Sequence, residues 1–233
     1  MFELAGRMTP LVTPFTDDGA SIGEVRIARL VRFYAERGAE GFAIATDTGE
    51  FTTLTFAERK QVVEWVQRSC QGSLPLVVNA STLATSSSLD IAQHAARHGA
   101  RAVLLMPPYY GQFSQAEHVE HVRVVSAYSK LPVVVVDAQE LLQEDAKTNI
   151  SHIPNVHMAW NAPNAPFVAT DWFRCYSLIV DPLAGVPGST EADFVLRNRA
   201  AVAKTLLLDS DLEVGKPRMP VQPIPYREIR SAA

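Results

Sequence analysis

Cysteine is scarce in this sequence, where Cys70 and Cys175 are the only two. They are too few and too far apart for a disulfide framework or a thiolate metal site, which points to a reducing, cytoplasmic setting rather than a secreted one. Long apolar runs are missing as well. No window approaches the ~20 apolar residues that cross a bilayer, and the opening MFELAGRMTP has no apolar stretch after its basic residue. The expectation is a soluble protein with no membrane partner. Clustered positive charge is also absent: 21 Lys and Arg against 25 Asp and Glu leave a net charge of −4 and a pI near 5.9. Without gathered cations to meet phosphates, a nucleic-acid partner is not expected. GxGxxG, Walker, GxSxG and CxxC patterns are lacking too, which removes the usual dinucleotide, nucleotide, esterase and redox readings. No cofactor and no metal are expected.

What is present is a chain of 233 residues, 47% hydrophobic, enough for one domain with a sizeable core. Short β-branched runs alternate with segments of helical periodicity, the mark of βαβ units on a parallel sheet. The pattern predicts strands at Met8–Thr13, Gly41–Ala45, Leu74–Asn79, Ala102–Met106, Pro132–Val136 and Val156–Trp160. It predicts helices at Glu24–Arg37, Thr55–Ser69, Ser87–His98, Gln115–Ser129, Gln139–Asp145 and Glu191–Leu208. Gly38 and Gly99 suit left-handed helix ends, and Thr55 with Glu58 suits a capping box. The run VVVV at 133–136 is apolar without alternation, as in a sheet buried on both faces. An open doubly wound sheet and a closed barrel both satisfy this pattern. GKPRMPVQPIP holds four prolines and predicts an extended tail packed over the body. The expected organisation is a single barrel domain over 1–210 and a proline-rich tail over 211–233.

Four segments in order, TPFTDDGASI at 13–22, TDTGEFTTLTFAER at 46–59, MPPYYGQFSQAEH at 106–118 and LPVVVVD at 131–137, carry a resemblance. IPNVHMAW at 153–160 and KPRMPVQPI in the tail extend it. With these the chain resembles the N-acetylneuraminate lyase and dihydrodipicolinate synthase family. The resemblance implies a (β/α)8 TIM barrel of the class I aldolase type, assembled as a homodimer or tetramer. It also implies a longer C-terminal half than this sequence supplies, which puts the barrel in question after the sixth strand.

That family works through a lysine that forms an imine with a 2-oxo acid, chemistry open only to a desolvated amine. The resemblance places Trp160 at the lysine's position, either as a stacking platform or as an indole filling vacated space. It places Val136 where a proton-relaying tyrosine belongs and Leu141 near a carboxylate-binding arginine. Lys130, Lys147 and Lys204 read as loop or polar-face residues, so no substitute lysine is evident. In the loop Thr46-Asp47-Thr48-Gly49-Glu50, Asp47 replaces a hydroxyl that would help bind the substrate carboxylate. An ionised Asp47 would repel that carboxylate at a cost of ~1 to 4 kcal/mol. It could instead act as a general base, meet a cationic ligand, or merely cap its loop. Gly49, Glu50, Tyr109 and Tyr110 match the family, and Tyr110 corresponds to a tyrosine that reaches a neighbouring subunit, as proton donor or as plain contact.

The candidate catalytic residues are therefore Asp47, Thr48 and Tyr110, with Thr46, Asp47, Thr48 and Trp160 as candidate substrate-binding residues. His94 with His98, and His118 with His121, have the spacing of metal ligands but no evident third ligand, and read as surface or packing residues. His157, out of phase with Val156, Met158 and Trp160, reads as facing the helices. Three functions stay open. The first is an enzyme of the lyase lineage with lysine-independent chemistry. The second is a regulatory pseudoenzyme without Schiff-base activity, paired with an active paralogue, and the third is a decayed relic. A small-molecule ligand is compatible with the first two, and a 2-oxo acid held in the family manner is not.

Overall fold

A computed structural model describes residues 8–137, 141–158, 199–209 and 212–223. The elements are β1 (Met8–Pro10), α1 (Glu24–Glu36), β2 (Gly41–Ile44), α2 (Phe56–Cys70), β3 (Leu76–Asn79), α3 (Thr85–Arg97), β4 (Ala102–Leu105), α4 (Gln115–Ser129), β5 (Val133–Val135), α5 (Glu144–Ser151), β6 (Val156–Met158) and α6 (Arg199–Asp209). The strands pair in parallel in the order β1-β2-β3-β4-β5-β6. Each neighbour in space is the next strand in sequence, with a helix returning over the outside, as in the TIM barrel.

Alternation along the strands divides the core into two layers. Phe42, Ile44, Leu76, Val78, Val103, Leu105, Val133 and Val135 face outward and pack with Ile27, Leu30, Val62, Val66, Ile91, Val122, Val125 and Ile150. Each such side chain contributes about 1.5–3 kcal/mol by leaving water. The opposite phase forms a smaller inner cluster of Met8, Val77, Ala102, Leu104 and Val134, with Val136 half-buried against it. Gly41 leaves room for Met8: a Cβ there would lie 2.4 Å from the Met8 sulfur and oblige that side chain to move.

Local signals set the helix boundaries. Thr55 accepts from the Glu58 amide while the Glu58 carboxylate accepts from the Thr55 amide, so α2 begins in the expected capping box. Ser114 and Glu117 repeat the device at α4. Gly38 and Gly99 take φ of 83° and 77°, the left-handed ends read from sequence.

The predicted helix Gln139–Asp145 is displaced: α5 begins at Glu144 and runs to Ser151. Before it, the Asp137 carboxylate accepts from the Leu141 amide at 2.8 Å and the Leu142 amide at 3.1 Å. The strands are shorter than predicted; Trp160 and residues 191–198 of the predicted Glu191–Leu208 helix lie outside the described residues, and the rest of that helix is α6. Part of the proline-rich segment does pack on the body, since the Phe15 amide donates to the Val214 carbonyl and Val214 is buried. No helix among the described residues is long and apolar enough to cross a membrane.

Candidate functional site at the barrel mouth

The loop after β2 is built from backbone more than from side chains. Ala45 and Glu50 both take positive φ, 52° and 55°, a conformation that non-glycine residues enter at a cost and that clusters at functional sites. Gly49 lies so close beneath that a Cβ would stand 3.0 Å from the Leu11 carbonyl. Thr13 then fastens the loop, its hydroxyl donating to the Gly49 carbonyl at 2.7 Å. The result buries Thr46 and Thr48 and turns Asp47 out to solvent. The Thr46 hydroxyl is buried with no hydrogen-bond partner among the described residues.

Tyr109, on the loop after β4, faces this segment. Its ring meets Phe51 edge-on with centroids 6.2 Å apart. Burial raises its phenol pKa, Arg59 opposes that shift, and the Asp47 charge adds to it. Arg59 is itself buried beneath, donating to the carbonyls of Ser81 and Asn79, and burial lowers its pKa to about 10. Asn79 and Ser81 continue the polar rim: the Ser81 hydroxyl donates to Asn79 Oδ1 at 2.5 Å and accepts from the Met106 amide at 2.8 Å. Tyr110 is 77% exposed and stands in solvent. Thr46, Asp47 and Thr48 therefore share one loop with Tyr109 opposite, and Tyr110 lies apart from that face.

Two sequence readings are overturned. His157 pairs in register with Val134 of the inner cluster, while Val156 and Met158 pack in the outer layer. His157 consequently faces the barrel interior rather than the helices, and burial lowers its pKa. The error came from assigning the apolar phase of β6 to the interior, when the outer layer of a barrel is the more apolar one here.

Lys204 is the second correction. Far from lying on a polar helix face, it is 1% exposed, and its amine sits 2.6 Å from Glu50 Oε1, whose side chain is fully buried. The amine also donates to the Lys216 carbonyl at 3.2 Å and lies 4.1 Å from the centre of the Phe15 ring. Arg218 completes the cluster. Its amide donates to Glu50 Oε2 at 2.7 Å, and its guanidinium donates to the carbonyls of Gly19, Ala20 and Thr53 and to Glu58 Oε1. Its guanidinium carbon lies 4.2 Å from the centre of the Phe15 ring. Burial lowers the Lys204 pKa to about 8 against the opposing pull of Glu50. Sequence spacing offered no signal for this cluster, because its contacts join residues 12 to 199 positions apart.

At the positions singled out by resemblance, Val136 directly follows β5 with its amide donating to the Leu105 carbonyl, and Leu141 is bound through its backbone to Asp137 and Gln115. Among the described residues the inner face includes Met8, Val77, Asn79, Ala102, Leu104, Val134, Val136 and His157, and none of these is a lysine or a tyrosine. His118 and His121 are buried in packing on α4, where the Thr85 hydroxyl and His121 Nδ1 are 2.9 Å apart.

Parallel strands in sequential order, wrapped by helices and carrying a constrained backbone loop at their C-terminal ends, define a TIM barrel of the aldolase type. The chain belongs to the dihydrodipicolinate synthetase family, whose model matches residues 3–153. It is 36% identical over 135 residues to a 4-hydroxy-tetrahydrodipicolinate synthase of Rhizobium meliloti, covering 58% of this chain and 45% of that protein. It is equally 36% identical over 133 residues to an N-acetylneuraminate lyase of Salmonella newport strain SL254, covering 57% and 44%. The chain thus spans less than half the length of these curated relatives. Among solved structures, the N-acetylneuraminate lyase of Proteus mirabilis superposes with a TM-score of 0.77 at 19% identity, over 99% of this chain and 96% of that one. A catalytic lysine mutant of the Ruminococcus gnavus sialic acid aldolase superposes with a TM-score of 0.76 at 17% identity, over 100% and 96%.

Proposed function

We propose that this chain is a lyase-lineage barrel that does not carry out conventional Schiff-base aldolase or lyase chemistry on 2-oxo acids. The observation that supports it most is the apolar inner end of β5. Val136 occupies the place where the family resemblance calls for a relay phenol, and none of the described inner-face residues named above is a lysine. The family resemblance also calls for a lysine where this sequence has Trp160. Lys204 does not replace it, since its amine is engaged by Glu50 and the Lys216 carbonyl. Asp47 adds a carboxylate where a substrate carboxylate would approach.

The site still suits a small molecule. The buried Thr46 hydroxyl, without a partner among the described residues, and the constrained loop around it offer polar contacts, with Asp47, Thr48 and Tyr109 in reach of the same mouth. A lysine-independent reaction would use Asp47 as base and Thr48 to orient the ligand. The high exposure of Tyr110 favours a second reading, in which that face meets another subunit in a homodimer or tetramer, or an active paralogue, in the cytoplasm. Incubation with pyruvate and sodium borohydride, followed by intact mass measurement, tests the main proposal. The expected spectrum has no adduct; a reduced pyruvyl adduct on any lysine overturns it. Trp160→Lys alone is expected to leave aldolase activity at background, because Val136, Leu141 and Asp47 remain.

A further inference from the structure

The helical layer supplies what the histidine spacing lacked. His94 lies on the last turn of α3 and His98 just beyond it, so the two rings share a face, their centroids 4.4 Å apart and tilted by 34°. Glu64 reaches them from the adjacent helix α2. Its Oε1 is 3.2 Å from His94 Nε2 and 3.9 Å from His98 Nε2, and the three donor atoms all lie within 4.8 Å of one another. We propose that Glu64, His94 and His98 form a binding site for a divalent transition-metal ion of the zinc class.

The donor chemistry fits the geometry. Two imidazoles and one carboxylate form a three-ligand zinc set that leaves a further position for water. Zinc–nitrogen bonds of about 2.0–2.1 Å in tetrahedral array put neighbouring ligand atoms roughly 3.4 Å apart, between the two separations observed here. Small side-chain rotations close the difference. His94 is mostly buried while His98 and Glu64 are 38% and 36% exposed, so the ion would rest against the layer with its open position toward solvent.

Burial, and then the neighbouring His98, lower the pKa of His94, favouring the neutral imidazole that a metal requires. One carboxylate oxygen shared between two imidazoles also leaves lone-pair capacity that a cation would take up. Lys60 and Arg97 act against occupancy, because their charges fall on the same histidine. Lys60 is partly offset by Asp90, 2.6 Å away. The ion would join α2 to α3 far from the constrained loop, independently of any chemistry at the mouth.

Isothermal titration of the untagged protein with Zn2+ alone tests this site. One ion per chain is expected, with affinity weakened at least tenfold in His98→Ala and in Glu64→Gln. Both residues are exposed enough for folding to survive, which circular dichroism verifies. His152→Ala, on an exposed histidine elsewhere, is expected to leave binding unchanged. Absence of saturable one-to-one binding overturns the proposal, and so does wild-type affinity in both the His98→Ala and Glu64→Gln proteins.

Discussion

Replacing Lys204 by methionine tests the buried cluster that joins α6 to the loop after β2. At 2.6 Å the Lys204–Glu50 pair attracts by about 6 kcal/mol at an effective dielectric of 20, yet withdrawing each ion from water costs several kcal/mol. The depressed Lys204 pKa shows burial winning for the amine. The intact pair should therefore be close to energetically neutral, and breaking it should not be. Lys204→Met leaves the Glu50 carboxylate buried with the Arg218 amide as its remaining described partner, a loss of about 3–5 kcal/mol. For a chain of this size that lowers Tm by roughly 6–20 °C. Glu50→Gln combined with Lys204→Met removes both charges and is expected to recover most of the loss. Urea denaturation followed by circular dichroism measures Lys204→Met, Glu50→Gln and the double variant. The reasoning fails if the single substitution costs under about 1 kcal/mol, or if the double variant loses the sum of the two singles.

Acid should weaken the fold through His121, whose pKa burial lowers to about 4 from the ordinary 6.5. The unfolded chain binds the extra proton first, so stability is lost as pH falls from about 6.5 to 4, by up to about 3 kcal/mol from this group. His121→Gln should flatten the pH dependence in that window when urea midpoints are compared. Gly215 takes a φ of 67°, and a Cβ there would meet the Phe15 carbonyl at 2.4 Å. Gly215→Ala is expected to unseat the segment bearing Arg218 and to raise proteolytic cleavage near residue 218.

The barrel was legible because its signals are local: β-branched runs, helical periodicity, Thr55 with Glu58, and the glycines at 38 and 99. Those pieces depend on neighbours a few residues away. The face of His157 was misread because periodicity gives two phases without saying which one meets the helices, and β6 is too short to decide. The burial of Lys204 was misread for a different reason: a charged residue on a weakly amphipathic helix reads as solvated unless its partner is known, and Glu50 is 154 positions away. The role of Glu64 beside the two histidines was hidden in the same way, by contact between separate helices. At the mouth, the loop 46–50 was found by its residues, but the left-handed Ala45 and the inward Tyr109 emerge only from packing.

Arg218 donates to carbonyls in the loop that follows β1, closing a circuit of 199 residues with Gly19. Closing so large a loop costs more chain entropy than any strand pairing in the sheet, so this contact belongs late in folding. During synthesis, the turn at Gly19 and the buried carboxylate of Glu50 must wait without their partners until residue 218 has left the ribosome. The first βα units are thus made early and completed last.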